Sequence, residues 1–368
     1  MWDVVVVGAR CAGATTALRF ARSGRSVRLL DRAPAGSDTL STHVLVPPAI
    51  ARLDDLSLLD TVHATGAPPV HSILWEFEGE RHPRPIKSQH GYLLCVRRAA
   101  LDPLLVGAAA RAGVTVRHGA TVEDLVWEDG RVAGIRLRAA LDGSSEERAR
   151  MVVGADGRHS IVARLAAEPE YNTVNSESGA IYAYFRGVGP SAAGPDVLQF
   201  ASGPGCDALC CPCDGDLHVV LLIVSANEFA TLSGQGAEAY VARLRTIPPL
   251  AARLDMAERV STLYRASPRE LRGFFRRPFG PGWALVGDAG YHAHPAPANG
   301  IADALRAAEL VHAGVEHAWT AGQPAEAYLA EYQQIRDDES AESYHASFRL
   351  GQINPFKDPE LAAAVLGH

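Results

Sequence analysis

Three apolar runs in this chain, Trp2–Val7, Met151–Val153 and Trp283–Val286, each stop at a glycine-bearing turn that leads into a helical pattern. Runs this short, bounded by turn residues and alternating with helical periodicity, predict strands of a parallel α/β sheet. They are too short for a membrane span or a signal-peptide core. The first is the most constraining. It runs into Gly8-Ala9-Arg10-Cys11-Ala12-Gly13-Ala14, a helix stopped by Gly24, and a second strand from Ser26 to Leu30 that ends at Asp31-Arg32. In such a βαβ unit, backbone N–H groups of the turn approach a pyrophosphate at the helix N-terminus, and the acid accepts from a ribose hydroxyl. Arg10 stands where the second glycine of the usual GxGxxG should be, so a plain packing turn is the alternative.

The second segment, MVVGADGRHSIVAR, places Asp156 over a turn made tight by Gly154 and Gly157, with Ser160 opening a helix. A strand-end Asp is a ligand contact or a helix cap. The third segment puts Asp288 after Gly287, then a Gly/His/Pro loop, then Ile301, Leu305, Ala308 and Val311 on one helix face. That brings a carboxylate close to a helix N-terminus, a combination suited to a ligand with hydroxyls and an electron-rich end.

Together the three segments resemble the single-component FAD-dependent hydroxylases of the para-hydroxybenzoate hydroxylase type, with relatives among geranylgeranyl reductases and flavin-dependent halogenases. That family carries a GxGxxG fingerprint, a central DG motif and a late GD motif in this order. Arg98-Ala99-Ala100-Leu101-Asp102 resembles its Arg-x-x-Leu site beside the flavin. The resemblance implies a Rossmann-like, glutathione reductase-type FAD domain (1–66, 94–165 and 270–368) with an inserted, mostly antiparallel substrate sheet (67–93 and 166–269). Strand patterns at His71–Glu78, Ile181–Arg186, Val197–Ala201 and Leu217–Ser225 fit that insertion, and a helix is expected from about Pro324 to Leu350.

The resemblance also implies site residues. For FAD these are Gly8, Cys11, Ala12, Gly13, Asp31, Arg32, Thr42, His43, Arg98, Val122, Asp156, Gly287, Asp288, Pro295, Asn299, Gly300 and Ile301. Asp288 would accept from the ribityl chain, and the helix opening at Asn299 would face the flavin pyrimidine edge, which is negative when reduced. His43 is the basic residue expected along the FAD; a solvated loop histidine and a covalent histidyl link are its alternatives. His43, His292, His294 and Pro295 are the catalytic candidates, since an imidazole can move a phenolic proton near neutral pH. Trp75, Phe77, Tyr182, Tyr184, Phe200 and His218 are expected in the substrate pocket, or else in the core.

The chain has 368 residues, 47% hydrophobic and 21% charged, with a net charge of −7. It can bury a large core, and its charge excludes nucleic acid or an anionic membrane as the main partner. Cys206, Cys210, Cys211 and Cys213 lack the paired spacing of a zinc site, so packing or pocket wall is expected and no metal. The expectation is a cytoplasmic enzyme, monomer or homodimer. NADH or NADPH would reduce its FAD, and oxygen added at the flavin C4a as a hydroperoxide would pass to an aromatic or polyketide-like substrate. A geranylgeranyl reductase-like saturase is the alternative. A halogenase or a non-catalytic flavin-binding protein is a more distant one, the first because only Lys87 and Lys357 are lysines.

Overall fold

The computed structural model describes residues 1–139 and 143–366. The three apolar runs become neighbouring parallel strands: Val7 pairs with Gly154, which pairs with Leu285. The sheet order is Phe279–Gly280, Trp283–Leu285, Gly143–Gly154, Trp2–Val7, Val27–Asp31, Thr115–His118. Val4, Val5 and Val6 are fully buried, because helices cover one face and a smaller apolar layer covers the other, which is why the run is continuous rather than alternating. The helix Cys11–Arg22 packs against the late helix Gly300–Thr320 on the first face. On the second face, Ala120–Glu128 and Arg131–Ala139 form an antiparallel extension with the start of the Gly143–Gly154 strand, an element the sequence patterns did not indicate.

A second sheet carries the insertion. Its order is Glu258–Arg259, Ser178–Arg186, Leu217–Ser225, Cys206–Cys213, Val197–Gly203, Ser72–Phe77, Glu80–Pro85, with Tyr264–Ala266 also on Ser178–Arg186. It is antiparallel except where Val197–Gly203 runs parallel to Ser72–Phe77. Alternation divides its faces. Ile181, Ala183 and Phe185 pack under the short helices of 226–251, while Tyr182 and Tyr184 point to the opposite face with Cys211, Cys213 and Val219. His218 lies directly opposite Phe185 in register. It therefore faces the helices, not the tyrosines, which corrects its placement in a substrate pocket. The error is one of parity: a single strand gives alternation but not which face is which.

The final long helix runs Glu326–Leu350, two residues later than the proline signal suggests. The turn at Gly8 explains the glycines. Gly8 has φ +102°, and a Cβ on Gly13 would lie 1.8 Å from the Gly8 carbonyl oxygen. Gly13→Ala should force turn and helix apart at a cost of about 3 kcal/mol or more. Urea unfolding and flavin content after purification check this; a stable, fully yellow variant would contradict it.

Candidate functional site

The glycine turns of the three parallel strands share one sheet edge, but their helices end differently. Asp31 receives Ala9 N–H at 2.7 Å and Ala33 N–H at 2.8 Å, which fixes its carboxylate beside the first turn. The Cys11–Arg22 helix has no side-chain cap and no acid in its first turn, leaving its leading N–H groups for an anion. The Gly300–Thr320 helix, with Asn299 at its N-cap, likewise lacks a side-chain cap. The middle helix is different. Asp156 accepts from Ser160 Oγ at 2.6 Å and Ile161 N at 2.7 Å, and Ser160 caps Ala163. The Asp156 side chain is thus committed to the helix at Ile161–Leu165, the alternative its sequence position left open; its neighbour Ala155 instead packs its carbonyl against Gly8.

Arg10 occupies the glycine position because its φ of −96° requires no glycine. Its guanidinium reaches Asp102 at 3.0 Å and the Ser37 carbonyl at 2.8 Å. Arg98 Nε donates to the other Asp102 oxygen at 2.9 Å, and Cys11 Sγ lies 3.3 Å from it. Asp102 is 5% exposed and joins two cofactor candidates, Cys11 and Arg98, to Arg10, a role not visible from sequence. Burial alone would favour neutral Arg98, but the carboxylates of Asp102 and Asp288 hold it charged above its ordinary range. Burial raises the Cys11 thiol to about 12, so it is a small packing residue and not a nucleophile.

Asp288 sits in the 3-10 turn Gly287–Ala289, where Gly287 has φ +58° and packs on Ala12. Its carboxylate makes no hydrogen bond among the described residues. The turn is held from behind. Arg276 donates to the Ala289 carbonyl at 2.7 Å, Arg336 to the Gly290 carbonyl at 3.1 Å, and Tyr332 to the Leu285 carbonyl at 2.9 Å. Burial and nearby Asp288 raise Asp303, one turn into the following helix, to about 7.

His43 is fully buried and left-handed, with φ +64°. Its Nε2 is 3.0 Å from Tyr184 Oη, and its Nδ1 is buried without a partner. Tyr182 meets the ring edge-on at 5.5 Å and stacks on Tyr264 at 4.6 Å. Tyr264 donates to Asp38 at 2.8 Å, so the Ser37–His43 loop is fastened to the second sheet. Burial, opposed by Asp38, lowers His43 to about 4. Thr42 lies beside it, its carbonyl 3.9 Å from Cys95 Sγ.

The other sequence candidates scatter. His292 stacks on Phe274, its Nδ1 2.9 Å from the Arg272 carbonyl. His294 is buried against Phe348 and Gly351, and burial lowers it to about 4. Neither ring touches His43 or Tyr184 among the described residues. Pro295 closes a turn to Ala298 at 2.9 Å. Val122 is a buried strand residue opposite Leu137, and Arg32 follows Asp31 at the sheet edge. Trp75 and Phe200 pack 4.8 Å apart on the Tyr182 face, with Phe77 at their margin. The four clustered cysteines are one fully buried strand, and no metal-holding group occurs among the described residues.

The profile of the FAD binding domain family matches residues 1–342. The chain belongs to that family. The probable electron transfer flavoprotein-quinone oxidoreductase YgcN of Escherichia coli is 33% identical over 312 residues, 78% of this chain and 69% of that protein. The digeranylgeranylglycerophospholipid reductase 2 of Methanothermobacter thermautotrophicus is 35% identical over 167 residues, 45% of this chain and 42% of that one. The 6-methylpretetramide 4-monooxygenase of Streptomyces rimosus is 28% identical over 323 residues, 84% and 74% of the two chains. The structure of Pseudomonas aeruginosa PqsL in complex with 2-aminobenzoylacetate superposes with a TM-score of 0.83 and 21% identity, covering 100% of both chains. The fold is therefore an FAD-binding α/β fold, and the protein is an FAD-dependent oxidoreductase. The glycine cradle, the uncapped helices and the unpartnered Asp288 fit that cofactor.

Asp102→Asn should leave Arg10 and Arg98 short of a counter-charge and cost on the order of 3 kcal/mol, with weaker FAD retention; unfolding and dialysis measure both. His294, held neutral when folded, takes up a proton on unfolding between about pH 6.5 and 4. Its contribution is present above 6.5 and lost as pH falls, up to about 3 kcal/mol. Stability measured across that range should fall less steeply in His294→Gln than in the wild type, by about one proton; identical slopes would remove His294 as the cause.

Proposed function

We propose that this oxidoreductase uses NADH or NADPH and O2 to hydroxylate an aromatic or polyketide-like small molecule. The observation that carries the reading is the buried His43–Tyr184 pair on the aromatic face of the second sheet. FAD, when bound, accepts hydride from the nicotinamide and activates oxygen. In this reading Gly8, Ala12, Gly13 and the Cys11 helix hold the pyrophosphate, and Asp31 takes the ribose. Asp288 takes the ribityl chain; Gly300 and Ile301 offer N–H groups to the pyrimidine edge. Pro295 and Thr42 line its two sides.

His43 is held neutral by burial, which makes it a hydrogen-bonding guide and not a charged group. With Tyr184 donating to Nε2, the proton sits on Nδ1, which can donate to a substrate oxygen. In the other tautomer Nδ1 accepts from a phenolic O–H. Among the described residues the charged groups beside this face are paired: Arg97, 5.6 Å from the Tyr184 ring, with Asp214 at 2.7 Å, and Asp38 with the Tyr264 hydroxyl at 2.8 Å. An electron-rich, uncharged aromatic suits such a wall.

A second reading, saturation of an isoprenoid-like double bond, is favoured by the apolar face and by the relatedness to a geranylgeranyl reductase. Halogenation is disfavoured because both lysines are exposed. Substrate-stimulated NAD(P)H oxidation over a panel of phenols, aromatic polyketides and indoles, with product mass, separates the readings. One added oxygen supports hydroxylation; two added hydrogens reject it for the saturase; a flavoprotein with no stimulated oxidation rejects both. Asp288→Ala should lose FAD or most activity, and a fully yellow, active variant would exclude its cofactor role.

A further inference from the structure

The face that bears Tyr182 and Tyr184 is shared with the segment that follows the last long helix. Leu350, Phe356 and Leu361 pack into the same apolar layer. Phe356 stands edge-on to Trp75 at 4.9 Å and stacks on Phe77 at 4.9 Å and 26°, with Phe200 at 6.2 Å. Phe356 and Phe77 also line an open cleft of about 610 Å³, whose rim carries Glu80, Arg81 and Lys357. Phe356 thus lies between this cleft and the apolar layer that also holds Tyr182 and Tyr184.

We infer that Phe356 is a specificity-determining gate, and that a flat, uncharged aromatic ring enters from the cleft by taking its place between Phe77 and Trp75. The inference rests on the proposed reading of this face as a substrate wall. Offset-stacked and edge-on contacts are those any planar ring makes with such a pair, and Phe356 already makes both. The cleft lining sets Glu76, Glu78 and Glu80 against Arg81 and Lys357, an excess of one acid that favours a neutral ring over an anion. The ring is carried on a movable piece of backbone. Pro355–Lys357 is a single 3-10 turn, entered through Asn354 at φ +52° and held at its two ends, by Asn354 N–H to Asp207 at 2.7 Å and by Arg349 to Asp358 at 2.6 Å. Between these ties Pro355, Phe356 and Lys357 make no hydrogen bond to either sheet among the described residues, so the ring can shift while the ends stay in place.

The test uses FAD-loaded, oxidised enzyme without pyridine nucleotide, and equilibrium dialysis against two probes, 2-naphthol and phenol. Phe356→Ala should bind 2-naphthol about tenfold more tightly, with phenol changed by about twofold or less. Phe356→Trp should weaken 2-naphthol binding about tenfold, while Phe356→Leu, which keeps most of the volume, stays within about threefold of the wild type. Equal 2-naphthol affinity in the Ala, Trp and wild-type enzymes, or parallel changes for both probes, would overturn the gate. If Phe356→Ala fails to fold, the contrast between Trp and Leu decides. Binding needs no turnover, so the two readings fail separately. Shifted affinities without an oxygenated product keep the gate and reject hydroxylation. Hydroxylation with unmoved affinities does the reverse.

Discussion

The register that sets Val7, Gly154 and Leu285 side by side in parallel strands is the constraint on which the site depends. It is fixed by main-chain bonds that run past the strand ends: Ala155 N–H to the Val7 carbonyl at 2.7 Å and Val286 N–H to the Gly154 carbonyl at 2.9 Å. A slip of one residue would exchange Val4 and Val6 with Val5 and Val7 between the two covered layers and misalign the turns, so packing and hydrogen bonds enforce the same alignment. With it, turns separated by more than a hundred residues in sequence meet along one edge. The close approach of Gly8 to Ala155 then leaves no room for a side chain.

Along that edge the chain distributes polarity unevenly. Two helices, at Cys11 and Gly300, keep their leading N–H groups uncommitted, while the helix between them is satisfied by Asp156 and Ser160. The uncommitted ends mark where an electron-rich ligand is stabilised, and the satisfied one marks a support. Asp102 bridges two arginines within this arrangement. Arg276 and Arg336 do comparable work behind the Asp288 turn, where their guanidiniums replace water on buried carbonyls.

Much of this was legible in the sequence because the βαβ signals are local: a strand, a glycine turn and a helix lie within thirty residues. The strand at 181–186 follows from its run of apolar, β-favouring residues, and the face shared by Tyr182 and Tyr184 from the two-residue period of a strand. What failed was relational. His218 obeys the same alternation as the tyrosines, but its face is set by pairing with Phe185, and no single strand carries that information. The strand Cys206–Cys213 is buried on both sides and shows no alternation at all. Arg10 looked like a defect in a motif because the carbonyls and Asp102 that receive it come from distant segments. The ring directions of His292 and His294 depend on Phe274 and Phe348, equally remote. The short helices of 226–251 are too brief to give a clear period.

The Ser37–His43 loop is fastened at both ends. Arg10 grips it beside the Gly8–Gly13 turn, and Tyr264 and Tyr184 grip it at the second sheet. Such a tether makes the two ends thermodynamically communicating partners. Any ligand that stiffens the loop at the nucleotide end lowers the entropy that remains to be lost at the aromatic end, and the converse holds to the same degree. In the proposed reading, cofactor and aromatic ring would then favour one another's binding, with His43 at the joint between them.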